Sequence, residues 1–492
     1  MAVTRSVGID LGTSRSVVCV LEDGKPVVVA GGQGLAATPS VVAFTEGGAT
    51  LVGAAAEKHA VDHPDRVAVS ALRRLGEPGR RWRFPQEGDI GGRTYTAQEI
   101  AARLLVELKR NAEAHLGGEV TGAVVAIPAS FGQAQRQAVV EACQIAGLNL
   151  LRMVPATLAT ALATLSDRTG DETVAVLDVG AGACQASVLE AGEGMVEVKA
   201  TRGDTGLGGD DFDTAVAQHL AEGFKKANGV DLASNAAAYR RLRDAARQAR
   251  TELSTATDTS ISLPGISGTL DLKDTLTRSQ LETLTEHLVS KCSALLREAV
   301  QAAGPVDQVL LLGGVTAMPG IQDMARAATG KSPERVTADE RVAAGAAIQA
   351  GVLTGEVKDI VVLDATAHSL SLGTQTSGGS ATVLIPRDTT IPCRRSEVVS
   401  TAADDQGSVE VVLFQGERSL ARENQVIARI HLTGIAPAPR GMPQIEVTID
   451  IDTDGMVQAS AKDRATGKPA SMTIDSEALP KADLDRMTAE AR

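Results

Sequence analysis

The sequence predicts an α/β region followed by an all-β region, and three observations carry that prediction. A unit of strand, glycine turn and returning strand occurs twice, at 6–30 and at 173–200. Helical periodicity dominates the intervening and following chain as far as residue 303. Beyond residue 365 that period vanishes, and a strict two-residue alternation takes its place.

The first copy reads Val7-Gly-Ile-Asp10-Leu-Gly12-Thr13, then Val17–Leu21, Asp23-Gly24 and Val27–Ala30. Asp-Gly between two apolar runs is a hairpin signal. A helix is expected over Ala97–Leu116, because Thr96 is a capping residue type and apolar residues recur at three- and four-residue steps. Ala134–Ala146 has the same spacing. The second copy reads Val174-Ala-Val-Leu-Asp178-Val-Gly180-Ala-Gly182, then Ala186–Glu190, Gly194 and Val196–Ala200. Each copy ends a buried strand in Asp before a glycine turn, which is a weak internal duplication. Asp211–Ala227 is a further helix. Residues 236–255 form a long one crowded with Arg240, Arg241, Arg243, Arg247 and Arg250, most of them expected on a solvated face. After the helix Leu281–Ala303, the buried strand Val309–Leu312 runs into Gly313-Gly314.

Residues 1–355 are assigned to this first region and 356–364 to a short apolar run bracketed by acids. In Gln444–Ile451, Ile445, Val447, Ile449 and Ile451 face one way and Glu446, Thr448 and Asp450 the other. Asp454-Gly455 then turns the chain into Met456–Ala461, a half-buried antiparallel hairpin. Residues 365–475 are therefore expected to form a β-sandwich. The remainder, 476–492, reads as one polar helical stretch without a partner.

Composition narrows the function. The chain has 492 residues, and two to four domains are expected at that length. A net charge of −13 argues against a nucleic-acid partner, which needs a basic stripe. No apolar run is long enough for a bilayer, so no membrane partner is expected. Met1–Ser6 passes straight into a strand-like segment and is not expected to be a secretory signal. The five cysteines are scattered and contain no CxxC pair, which points to a reducing cytoplasm and away from a zinc site. Aromatic residues make up only 2%, so the core must rest on Ala, Val, Leu and Ile.

The glycine turns carry the chemistry. Glycines let backbone N–H groups approach phosphate oxygens, and strand-end Asp10 and Asp178 suit a hydrated Mg²⁺. For a single such turn, an ordinary strand-to-turn glycine is the better reading; for the whole set, phosphate binding is. Gly180-Ala-Gly182-Ala-Cys-Gln185 lacks the third glycine of a dinucleotide fingerprint and leads into a strand. No GxxxxGK[ST] occurs, so a P-loop is excluded.

Read together, Gly8-Ile-Asp-Leu-Gly-Thr13, Ile127-Pro128-Ala, Ala134-Gln-Arg136-Gln-Ala, the run Gly203–Asp213, Gly313-Gly314 and the run Gly434–Thr448 with its Pro-Arg-Gly-Met-Pro resemble the seventy-kilodalton heat-shock chaperones of the bacterial DnaK type. The resemblance extends from residue 6 to about residue 475. It implies an actin-like (ribonuclease H-like duplicated) ATPase domain, a hydrophobic linker through Val361, Val362, Leu363 and Asp364, and a β-sandwich peptide-binding domain. Implied cofactors are ATP/ADP and Mg²⁺, the metal held through water by Asp10 and Asp178. Implied nucleotide residues are Gly12, Thr13, Ser14, Gly180, Gly182, Gly208, Gly209, Arg250, Ser254, Gly313, Gly314 and Asp339. Pro128 and Arg136 match the relay between domains. Arg152 and Asp364 match contacts for a J-domain co-chaperone, whereas Pro155 and Leu158 depart from them. A nucleotide-exchange factor and extended polypeptide clients are the other implied partners. The implied peptide cleft comprises Thr374, Ser377, Val399, Ala402, Val409, Val411 and Met456, although Val409 and Val411 equally suit sandwich core. The cleft is smaller and more polar than the family's at Thr374, Ser377 and Val399, and each lost methylene costs roughly 0.8 kcal/mol of apolar contact.

The departures concentrate at the catalytic positions. Arg73 stands at the implied catalytic lysine, Ala156 at the glutamate, Ala183 at the phosphate-facing threonine and Gln185 at an aspartate; Ala181 replaces a glycine. Phosphoryl transfer is mostly positioning and charge stabilisation. Losing one such group costs about 3 kcal/mol of barrier, and losses within one site need not add. On the adenosine side, Arg247 replaces a glutamate, Arg250 a lysine, and Ala317 a stacking arginine worth on the order of 1 kcal/mol. The sequence therefore predicts a chaperone that binds ATP weakly, hydrolyses it poorly and lacks the C-terminal helical lid, with 476–492 at most the lid's first turns. A lidless cleft is expected to exchange peptides quickly. A pseudo-ATPase scaffold docking one dedicated partner is the alternative. An actin-like metabolite kinase is weaker, since the linker and the run Gly434–Thr448 have no purpose there.

Overall fold

The computed structural model describes residues 5–31, 34–77, 79, 81–86, 89–165, 170–192, 194–336, 338–373, 382–465, 471–474 and 478–491. The first copy of the repeat builds a six-stranded sheet in the order Leu150–Pro155, Gly122–Ile127, Ser6–Asp10, Arg15–Glu22, Lys25–Val29, with Thr38–Pro39 also on Arg15–Glu22. Ser6–Asp10 runs parallel to Gly122–Ile127 and antiparallel to Arg15–Glu22. The second copy repeats the arrangement: Glu172–Val179 is antiparallel to Cys184–Gly192 and parallel to Gln308–Leu312. Its sheet has seven strands, ordered Glu334–Arg335, Gln308–Leu312, Glu172–Val179, Cys184–Gly192, Met195–Asp204, Val361–Ala365, Thr390–Ile391. The duplication seen in the sequence is thus a duplication of topology.

The helices follow the expected periods closely. Ala97–Leu116 is one helix, and Thr96 and Glu99 form the reciprocal capping box that satisfies two of its free amides. Gln133–Ile145, Gly209–Asn228 and Arg278–Ala303 each begin one to three residues earlier than expected. Between the sheets lie Ala156–Leu165 and Ala338–Thr354. Their small residues let both sheets share one core, which joins Val124 and Ala126 to Val176 and Leu310 through Leu158, Leu162 and Ala346. Three of the scarce aromatics cluster in the first lobe, where Phe44 stacks on Tyr95 with centroids 4.1 Å apart and Phe84 lies beside them. Arg103 lies 4.9 Å over the same Tyr95 ring.

After Ala338–Thr354 the chain is antiparallel β. One sheet has five strands, ordered Thr382–Ile385, Leu370–Gly373, Ser408–Gln415, Gln425–Thr433, Ser471–Ile474; the other has three, Cys393–Val399, Ile445–Ile451, Val457–Asp463. Ile445, Val447, Ile449 and Ile451 all point inward, onto Val411, Leu413, Ile430 and Leu432. The apolar run before the sandwich is itself a strand: Val361, Val362 and Leu363 pair with Met195, Val196 and Glu197 of the second sheet.

Two expectations are corrected. The terminal helix Lys481–Ala491 has a partner, because Met487 enters the first lobe's core at 2% exposure. Leu479, Leu484 and Ala491 pack beside it, Arg93 pairs with Glu490, and Leu479 N donates to Glu141. The composition of this segment hid the match, because a few apolar residues are enough to bury one face. The arginines of Ala236–Glu252 are also less solvated than expected: Arg243 and Arg247 reach Asp210, and Arg250 donates to Asp213 at 2.6 Å. Among the described residues, no helix is long and apolar enough to cross a membrane.

Candidate functional site

Strand pairing carries the two strand-end carboxylates to one place. Asp10 and Asp178 open onto a cleft also lined by Gly12, Thr13, Ser14, Ala156, Gly180, Gly182, Ala183, Gln185, Gly313 and Gly314. The turns interlock: a Cβ on Gly182 would lie 2.5 Å from Thr13 Oγ1, so only glycine lets the second turn approach the first this closely. Ser40 Oγ donates to Gly12 O at 2.6 Å and fixes the first turn. The pair Asp10 and Asp178 suits Mg²⁺, which accepts one or two carboxylates and completes its shell with water and phosphate oxygens. Among the described residues, no group of three or more His, Cys, Asp or Glu makes a metal cage alone.

Gly208 and Gly209 pack behind the second turn, against Ala181, and their amides are not free phosphate donors. Gly208 N donates to Asp211 Oδ2 at 2.8 Å, and Gly209 N to Gly180 O at 2.8 Å. The Gly208 amide closes the start of the helix Gly209–Asn228 on itself, and those of Gly209 and Asp210 hold that start to the second turn. Arg250 is buried against Asp213, and Ser254 Oγ donates to Arg250 O at 3.2 Å. On the adenosine side expected from these two residues, Arg250 is tied to the neighbouring helix and Ser254 to a carbonyl of its own helix end. The side chain of Asp339 lies outside the described residues, as do Thr374 and Ser377.

Arg73 bridges the lobes. From the short helix Ala71–Arg74 of the first lobe, its Nη2 donates to both carboxylate oxygens of Asp211, at 3.0 and 2.8 Å, and to Gly206 O. Asp211 was not singled out by sequence reasoning. Its carboxylate also accepts from Gly208 N at the start of the helix, and no local spacing marks it as an arginine partner. The cleft encloses ≈ 120 Å³. Arg73 lines a small recess beside it with Thr13, Gly182 and Ala183, and together with Asp211 a larger cavity of ≈ 620 Å³.

The second functional region is the seat of the sandwich on the lobes. Arg136 is buried; its Nε donates to Phe131 O at 3.1 Å and its Nη1 to Asp454 O at 2.7 Å. Asp454 Oδ1 accepts from Met153 N at 2.7 Å. Gln133 N donates to Gln415 Oε1, and Val457 N to Gln133 Oε1, each at 3.1 Å. On the second lobe, Asp388 accepts from Thr201 N and from Arg202 at 2.8 Å. Sequence reasoning missed Asp388, whose positive φ of 63° marks a loop geometry that spacing does not reveal. Met456, expected in the peptide cleft, instead packs on the first lobe's core, because the turn Asp452–Gly455 plunges toward Arg136. Val411 is fully buried and Val409 nearly so, both within the sandwich core; Val399 is half-buried and Ala402 exposed.

Charge at this seat gives a pH dependence. Burial pushes the Asp364 carboxyl above its ordinary range, against the pull of Arg136 and Arg152. Burial raises Asp454 as well, with Asp452 adding to it and the Met153 amide, Arg152 and Arg136 opposing. Such carboxyls hold their protons more tightly docked than undocked. The docked form is therefore favoured at low pH, and that gain is lost as pH rises through the raised values. Acidification through the range just above the ordinary carboxylate values is expected to increase docking, read by small-angle scattering. The double variant Asp364→Asn, Asp454→Asn should flatten the profile; a flat wild-type profile would refute the assignment.

A duplicated fold whose copies turn their strand-end carboxylates into a shared cleft is the architecture of actin-like ATPase domains. The sandwich beyond it narrows the class to the peptide-handling chaperones built on that domain. The model of a family described as Hsp70 protein matches residues 6–492, so the chain belongs to the Hsp70 family. It is an ATP-binding Hsp70 chaperone; the family works on polypeptide clients with co-chaperones and uses ATP or ADP with Mg²⁺.

Proposed function

We propose that this protein is a divergent member of the bacterial DnaK type that binds Mg·ATP between its lobes, holds extended polypeptides in its sandwich and hydrolyses ATP slowly. The observation that carries this reading is the engagement of Arg73. A guanidinium bonded to Asp211 and Gly206 O is committed to the protein and withdrawn from a transferring phosphoryl group. Ala156 and Ala183 line the same cleft and have no polar side-chain group to orient water. Residues 1–355 form the ATPase unit, 356–364 the linker and 365–475 the peptide-binding sandwich, and the helix Lys481–Ala491 rests on the first lobe. Thr374, Val399 and Ala402 contribute to the peptide cleft. Arg152 and Asp364, both at the sandwich seat, serve a J-domain co-chaperone, and the protein works in the cytoplasm.

Binding and single-turnover hydrolysis measured side by side test this. Calorimetry is expected to show Mg·ATP binding, with a chemical step about a hundredfold or more slower than in family members that keep the lysine, glutamate and threonine. An ordinary family rate would sink the impaired-hydrolysis reading. Failure to bind any extended peptide in an array would favour a scaffold for a dedicated partner.

A further inference from the structure

We infer that Gln185 is a positioning residue that couples the Asp178 carboxylate to the loop on which the sandwich sits; this rests on the reading of Asp178 as a nucleotide-site carboxylate. Gln185 is 2% exposed. Its Nε2 donates to Asp178 Oδ2 at 2.7 Å, and its Oε1 accepts from Ala129 N. Only one orientation of the amide satisfies both neighbours, since the reverse would set N–H against N–H and oxygen against carboxylate. An ionised acidic side chain has no donor for Asp178, so an amide is the group that ties both ends together.

Those two ends belong to different lobes. Asp178 and Gln185 lie on neighbouring strands of the second sheet, opposite each other in register. Ala129 lies in the loop after Gly122–Ile127 of the first sheet. The next carbonyls of that loop face the sandwich side: Ser130 O accepts from His368 Nε2 at 3.0 Å, and Phe131 O accepts from Arg136 Nε at 3.1 Å. Arg136 passes the connection on to Asp454 O. A second contact presses the loop on the same strand pair. Gly203 pairs with Gln185, and a Cβ there would lie 2.6 Å from Ser130 Cβ. A shift of Asp178 therefore moves Ala129 through one side chain, and Ser130 and Phe131 move with it.

Two near-isosteric variants of the full chain separate this role from simple buried satisfaction. Gln185→Glu keeps the acceptor for Ala129 and loses the donor for Asp178; Gln185→Met loses both. Without nucleotide, hydrogen exchange at the Ala129 amide is expected to rise roughly tenfold in Gln185→Met and to change little in Gln185→Glu. Trp82, the single tryptophan, lines an opening together with Gln425 of the sandwich, so its emission reports docking. With Mg·ATP at a concentration that calorimetry shows to saturate each variant, the shift of the docking equilibrium is expected to fall roughly tenfold in both variants. An ATP response equal to wild type in both variants overturns the inference, as does unchanged exchange at Ala129 in Gln185→Met. Wild-type protein that binds no ATP would refute the functional reading instead, and the exchange measurement would still decide the link.

Discussion

The triple variant Arg73→Lys, Ala156→Glu, Ala183→Thr is expected to hydrolyse Mg·ATP in a single turnover about a hundredfold or more faster than the wild-type chain. Ala156 and Ala183 line the cleft between the duplicated turns, and Arg73 shares an adjoining recess with Ala183. Arg73 is the decisive one, because its guanidinium is held by Asp211 and Gly206 O on the opposite lobe. A lysine ammonium is a compact point charge with three rotatable donors and cannot reproduce the planar fork. It is therefore free to turn toward a phosphate. The hydroxyl at 183 and the carboxylate at 156 then supply groups that position the nucleotide and the attacking water.

The single changes should fall well short of the triple, since groups that act as a unit are not additive. Arg73→Lys alone should speed nucleotide release more than chemistry, because it loosens the bridge between the lobes. Stopped-flow release of a fluorescent ATP analogue and quenched-flow single turnover separate these effects. A triple variant that turns over at the wild-type rate would show that these side chains are not the cause of slow hydrolysis.

The legible part of this protein is the part written in periodicity and punctuation. Asp23-Gly24 gives its hairpin, with φ of 50° and 74° at the turn, and Thr96 caps its helix as expected. Asp10 and Asp178 converge because each ends a buried strand of the same topology. The illegible part consists of contacts between distant segments. Arg73 and Asp211, Arg202 and Asp388, and Gln133 and Gln415 each meet across a gap of more than a hundred residues. No local spacing encodes such pairs. Met456 follows the same logic. Its alternation within the hairpin is right for a strand, but the docking of the whole turn onto Arg136 decides what it touches.

Arg136→Met is expected to release the sandwich from the lobes, lowering the ratio of docked to undocked molecules by about a hundredfold or more. The side chain is 6% exposed and lies among the first lobe, the linker strand and the sandwich turn. Its removal leaves Phe131 O and Asp454 O without their donor. It also withdraws the charge that opposes the burial of Asp364 and Asp454. Breaking a buried charged arrangement by deleting one partner costs about 3–5 kcal/mol, far more than an exposed ion pair contributes. Arg136→Lys should fail almost as badly, because an ammonium on a flexible stem cannot donate to both carbonyls in the fork geometry. Cleavage of the chain near Val361 by a low dose of protease measures the release directly, since pairing with Met195 protects that strand in the docked form. Far-ultraviolet circular dichroism should change little, because one lost bond lies between folded units and the other joins a loop to the adjacent helix, neither belonging to a helix or sheet ladder. Faster cleavage with intact secondary structure is the expected pair of results. A variant that resists cleavage as the wild type does would mean that the remaining contacts, Asp388 with Arg202 and Gln133 with Gln415, suffice to seat the sandwich.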